Sequence, residues 1–229
     1  MIRIPDITIA VDGFSSTGKS SFAKEVAKKF SFLYLDSGAL YRGVTLFAQE
    51  NGFIDADNNV SEGLEAALEG LDLHFGEGGA LHIGERCIEM EIRSMGVSSQ
   101  VSPIATVPYV RSWVDKRLHY LASSGRVVMD GRDIGTTVFP NAELKIFMTA
   151  REEVRAKRRF DEMKSKGGNP DLEEVLANLR ERDYIDSHRS TSPLRRADDA
   201  FELDNSDMSM AEELSWVQGL IQGRFGLLG

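Results

Sequence analysis

A three-layer α/β fold, with a five-stranded parallel sheet between helices, is what this chain of 229 residues predicts, and three observations lead there. Five short apolar runs stand out, several of them nearly continuous as strands covered on both faces are: ITIAV at 7–11, FLYL at 32–35, RVVM at 126–129, LKIFM at 144–148 and AFEL at 200–203. Helical patterns separate most of them, the strand, helix, strand alternation of a parallel sheet. The first run leads into VDGFSSTGKSS, a glycine-rich turn that opens a helix.

That helix begins at Lys19, and Phe22, Val26 and Phe30 recur on one face of it. A second covers SGALYRGVTLFAQENG, with Asn51 and Gly52 as its stop. A third follows Arg111, where Trp113, Val114, Leu118 and Leu121 keep helical spacing up to Gly125. The stretch 71–95 breaks the rhythm: LDLHFGEGGALHIGERCIEMEIRS alternates apolar and polar residues between glycine turns, which predicts an antiparallel hairpin unit inserted in the core. From Arg151 to Ser192 run two charged helical stretches parted by KGGNP, a turn signal. The C-terminal GRFGLLG is compatible with a docked tail and with an intermolecular contact alike.

The net charge of −9 argues against a broad grip on a nucleic-acid backbone, so an anion site must be local, built from clustered arginines and backbone amides. Cys87 is the only cysteine and no Cys/His cluster has zinc spacing. Without a signal-peptide core or a long apolar run, a soluble cytoplasmic protein with no membrane partner is expected, and a monomer is the further expectation.

Gly13 to Ser20 reads G-F-S-S-T-G-K-S, a full match to G-x-x-x-x-G-K-[ST] in the required strand-then-helix context. Its glycines let successive N–H groups curl inward onto phosphate oxygens, and the helix N-terminus adds its positive end. Gly13, Phe14, Ser15, Ser16, Thr17, Gly18, Lys19, Ser20 and Ser21 are the candidate triphosphate residues. Lys19 would reach the β- and γ-phosphates, and the Ser20 hydroxyl would ligate Mg²⁺. Asp130, at the tip of RVVMD, is placed for the outer shell of that metal or for a simple turn or cap.

Arginines in loops supply the other half. Arg42 stands a turn past the second strand, and Arg132 and Asp133 follow the third in MDGRDIGTTVFP. No N-K-x-D guanine-reading motif occurs. Arg151, Arg155, Arg158 and Arg159 share one helical face, and of these Arg155 and Arg159 are the expected charge-neutralising pair of a mobile lid.

With IAVDGFSSTGKSS, YLDSGALYR, IRSMGVSSQVS, VPYVR, MDGRDIGTTVFP, TAREEVRAKRR and RERDYIDSHRSTSPL in order along nearly the whole chain, the sequence resembles the bacterial cytidylate kinases, nucleoside monophosphate kinases of the P-loop NTPase superfamily. The resemblance implies a single kinase domain over residues 1–229, with a monophosphate-binding insert at about 62–105 and a lid at about 151–190. It implies transfer of the γ-phosphoryl group of ATP to CMP or dCMP, with Mg²⁺. Carried over, Ser37, Ser102, Arg111 and Asp133 contact cytosine, and Arg42 and Arg132 hold the CMP phosphate. Arg182, Asp186 and Arg189 match an R-D-x-x-D-x-x-R element near the ribose and the transferred group. Lys19, Arg132, Arg155, Arg159, Arg182 and Arg189 are then the catalytic set. Cytosine makes these types sensible, since its exocyclic amino group donates to a carboxylate such as Asp133.

Overall fold

The computed structural model describes residues 5–165 and 167–226. All five expected strands are present: β1 (Thr8–Gly13), β2 (Leu33–Asp36), β6 (Val127–Gly131), β7 (Leu144–Thr149) and β8 (Phe201–Asp204). They form one sheet ordered β2-β6-β1-β7-β8, in which β1 pairs in parallel with both β6 and β7, and β7 with β8. The connections from β1 to β2, from β2 to β6 and from β7 to β8 carry α-helices, and that from β6 to β7 a single π-helical turn.

The chain divides into two compact units, residues 1–35 with 122–188 and 192–229, and residues 36–121 with 189–191. In the first, α1 (Lys19–Phe30) buries Phe22, Val26 and Phe30. These pack with Ile9 and Val11 of β1, Val128, Ile146 and Met148, and with Val217 and Ile221 of α8 (Met210–Phe225). The helix α8 is a correction to the sequence reading, which left this segment unassigned; Leu227, Leu228 and Gly229 of the GRFGLLG tail lie outside the described residues. Also in this unit, α6 (Glu152–Ser165) and α7 (Leu172–His188) pack through Ala156, Val175 and Leu179, the two charged helices parted by KGGNP.

The second unit opens with α2 (Ser37–Glu50), capped by Asp36, whose carboxylate accepts from the Ala39 N–H at 2.8 Å. Then come α3 (Gly63–Glu69), a small antiparallel sheet of β3 (Leu73–Phe75), β4 (Leu81–Ile83) and β5 (Arg86–Cys87), α4 (Met95–Ile104) and α5 (Pro108–Leu121). The alternating stretch is thus the predicted hairpin unit, with helices on both sides of it in sequence. The helix α2 lies close against this sheet at Gly43, where a Cβ would stand 2.7 Å from a Leu73 methyl and 2.8 Å from a Leu81 methyl. The Trp113 indole donates to the Leu68 carbonyl at 2.7 Å, tying α5 to the end of α3.

After β6 the backbone makes one π-helical turn, Ile134–Val138. The buried Asp12 carboxyl, at the end of β1, receives the N–H groups of Ile134 at 2.8 Å and Gly135 at 2.7 Å. It thereby caps the turn that carries Asp133. Burial pushes the Asp12 pKa up to about 7 although these two hydrogen bonds work the other way.

Truncating Phe22 to Ala removes a ring with no solvent exposure and should lower unfolding free energy in urea by about 3–5 kcal/mol. The Asp12 carboxyl titrates above its ordinary 3.8, so the unfolded state loses its proton first. Its contribution to stability is therefore present at low pH and is lost as pH rises from about 4 to about 7. A carbon-detected NMR titration should place its midpoint near 7, and a midpoint below 5 would contradict this environment.

Candidate active site

The turn between β1 and α1 runs through backbone that few side chains tolerate. Gly13 has φ 150° and a Cβ there would collide with the Met148 carbonyl oxygen, while Gly18 has φ 91° and Ser16 φ 58°. Gly13, Phe14, Ser15, Ser16, Thr17, Gly18, Lys19 and Ser20 lie along this turn, and Ser21 is on the first turn of α1. The Lys19 ammonium reaches back over the turn to the Phe14 carbonyl at 2.6 Å and is almost fully buried. Burial, and next the positive Arg132, push its pKa well below that of an ordinary lysine.

Beside it, the Ser20 hydroxyl donates to Asp130 Oδ2 at 2.7 Å, and the Tyr34 hydroxyl donates to Oδ1 at 2.7 Å. A hydroxyl and a carboxylate at hydrogen-bond distance are hard oxygen donors of the kind Mg²⁺ takes. Among the described residues no cluster of three or more His, Cys, Asp or Glu could hold a metal alone. The donor set therefore suits a metal whose remaining ligands are phosphate and water.

Carboxylates from α7 organise the cations around the turn. Asp183 accepts from the Ser15 N–H at 2.9 Å through one oxygen and from Arg155 through the other. Arg155 also donates to the Ser15 carbonyl at 3.1 Å. Arg132, following β6, donates to Asp186 at 2.8 Å and to the Ser15 hydroxyl at 3.0 Å. Lys19, Arg132 and Arg155 thus converge on the turn, and Asp186 joins them through Arg132. Arg182 is half-buried on α7, one turn before Asp186, and Asp133 is buried where the π turn begins. Along the same stripe Arg158 donates to the Thr17 carbonyl at 3.2 Å, whereas Arg159 pairs with Glu162 at 3.0 Å on its own helix. Arg151 pairs with Asp207.

In the second unit Asp36 gathers two guanidiniums, Arg42 at 2.9 Å and Arg93 at 3.0 Å. Burial works to raise the Asp36 carboxyl, but the two arginines outweigh it and hold it below the usual range. Arg93 is held from its far side by Glu89 at 2.7 Å. Arg111 is buried over the Tyr41 ring, 5.5 Å from its centre, and donates to the Ala105 carbonyl at 3.2 Å. Ser37, Ser102 and Arg189 are buried as well. Asp12, Asp36 and Asn205, which hold these groups, are the residues that sequence reasoning passed over, and Asp183 entered it only as the first acidic position of R-D-x-x-D-x-x-R.

A curled phosphate turn, a serine and carboxylate pair and buried arginines held by carboxylates suit a polyphosphate; what is done with it is a matter of family. The family model for cytidylate kinase matches residues 9–222. The cytidylate kinase of Bacteroides thetaiotaomicron is 49% identical over 216 residues, covering 92% of this chain and 94% of that one. That of Flavobacterium johnsoniae is 50% identical, covering 94% of this chain and 96% of its own, and that of Parabacteroides distasonis is 47% identical, covering 92% and 94%. With a match that takes in the phosphate turn, Asp36 to Arg42, the π turn and both charged helices, the chain belongs to the cytidylate kinase family.

Proposed function

We infer that this enzyme transfers the γ-phosphoryl group of ATP to CMP or dCMP, giving ADP and CDP or dCDP. The observation that carries the inference is the near-half identity, over more than nine-tenths of both chains, to relatives named cytidylate kinase. The geometry of the phosphate turn supports it.

On this proposal the N–H groups from Gly13 to Ser21 cradle the ATP phosphates and Lys19 meets the β- and γ-oxygens. Ser20 would hold Mg²⁺ with Asp130 behind it, and the bound metal would supply charge neutralisation across the β- and γ-phosphates. The transferred group carries its charge on peripheral oxygens, so fixed cations do the catalytic work. Arg132, Arg155, Arg159, Arg182 and Arg189 are proposed for it, in a lid at about 151–190. Arg158 joins this set on the strength of its bond to the turn.

Arg42 and Arg132 are proposed for the CMP phosphate, Asp186 for the ribose, and Ser37, Ser102, Arg111 and Asp133 for cytosine, with the insert at about 62–105. No general base is needed, because the attacking phosphate oxygen is already largely ionised at neutral pH. The acidic net charge supports small-molecule partners over nucleic acid, in a cytoplasmic setting.

Turnover with ATP and Mg²⁺ against CMP, dCMP, UMP, AMP and shikimate tests this: CMP and dCMP should be preferred, and a preference for shikimate would overturn it. Asp133→Ala leaves nothing to accept from the cytosine amino group, so kcat/KM for CMP should fall more than for UMP, by a margin on the order of 1–3 kcal/mol. Equal losses would remove its base-reading role.

A further inference from the structure

Thr17 precedes Gly18 in the phosphate turn, and its carbonyl oxygen is held from outside that turn. It accepts from Asn205 Nδ2 at 2.9 Å and from Arg158 Nη1 at 3.2 Å. A trans peptide group is planar, with its C=O and its N–H on opposite edges. Fixing the Thr17 oxygen therefore fixes where the Gly18 N–H points. Inside the turn, the Thr17 hydroxyl donates to the Phe14 carbonyl at 3.1 Å.

Asn205 is buried just past β8, where its own N–H donates to the Thr149 carbonyl at 3.0 Å. Its side-chain amide is oriented from both ends. The Nδ2 group donates to Thr17 and to Glu213 Oε1 at 2.9 Å, while Oδ1 accepts from Arg158 Nη1 at 3.0 Å. The second Arg158 nitrogen donates to the Asn205 backbone carbonyl at 2.8 Å. Turning the amide over would set its oxygen against two acceptors and its NH₂ against a guanidinium, so only one orientation is satisfied.

Glu213, in the first turn of α8, is itself buried, and its Oε2 has no hydrogen-bond partner among the described residues. Burial raises its pKa. A carboxyl with one oxygen unmet is a costly group to place under a helix. What it does there is receive the second Asn205 proton and lock the amide.

We infer that Glu213, Asn205 and Arg158 form a positioning clamp that holds the Thr17 carbonyl and so aims the Gly18 N–H at the phosphates of ATP. The clamp rests on the reading of ATP as donor and lies wholly within the first unit. Its effect is therefore on donor affinity, with acceptor affinity left alone.

The test measures KM for ATP, KM for CMP, calorimetric binding of ATP with Mg²⁺ in the absence of CMP, and the thermal midpoint. The wild type is compared with Asn205→Ala, Glu213→Gln and Glu213→Ala. In Asn205→Ala, Kd and KM for ATP should rise about tenfold, the scale of one lost buried hydrogen bond, with KM for CMP within about twofold of wild type. Glu213→Gln keeps an oxygen to accept from Asn205 and should stay near wild type. Glu213→Ala should move in the direction of Asn205→Ala by a smaller step. Unchanged ATP affinity in Asn205→Ala, or in Glu213→Ala should the former not fold, overturns the clamp. So do equal rises in both KM values that follow the loss of thermal stability, the mark of a structural role. A wild type that binds no ATP would instead sink the donor reading.

Discussion

A site that receives a polyphosphate must crowd cations and N–H groups together, and buried cations need compensating charge. Every arginine gathered at the phosphate turn meets that need through a carboxylate or a carbonyl. Asp186 takes Arg132, Asp183 takes Arg155, and Thr17 and Asn205 take Arg158. Asp183 also accepts the Ser15 N–H, so one carboxylate shapes the turn and orders the cation beside it. The same device recurs in the second unit, where Asp36 caps α2 and holds Arg42 and Arg93. These carboxylates explain how a chain of net charge −9 carries strongly basic local sites.

The sheet supplies the rigidity that such a site requires. β1 is flanked by β6 and β7, so the turn leaves from the centre of the sheet. Its close approach to Met148 leaves no room for a side chain at Gly13. Asp12 reaches sideways from the same strand end to hold the turn bearing Asp133. A single strand terminus thereby organises both the phosphate turn and the loop proposed to read the base.

Elements with a strong local signal were legible in the sequence. The five apolar runs, the G-x-x-x-x-G-K-S turn, the α1 face and the KGGNP break all report local pattern, and each stands where it was expected. The helix α8 was missed although Ser209-Met-Ala-Glu212 is a capping-box signature, and the structure shows both of its reciprocal bonds. The choice between Arg158 and Arg159 was beyond sequence reasoning. On a helix of 3.6 residues per turn they stand about 60° and about 40° to either side of Arg155. Which one meets the turn depends on how α6 is rotated by its packing. Asp186 was named from its motif, but its hold on Arg132, like that of Asp183 on Ser15 and of Asn205 on Thr17, acts across a long sequence separation that only the tertiary fold closes.

The central claim is that the curled turn binds the donor and that Lys19 serves the transferred phosphate. Steady-state transfer from ATP to CMP by Lys19→Met, with CMP binding and the thermal midpoint measured on the same preparation, tests it most directly. The account predicts turnover lower by at least about a thousandfold, with the fold and CMP binding preserved. Turnover within about tenfold of wild type would contradict it.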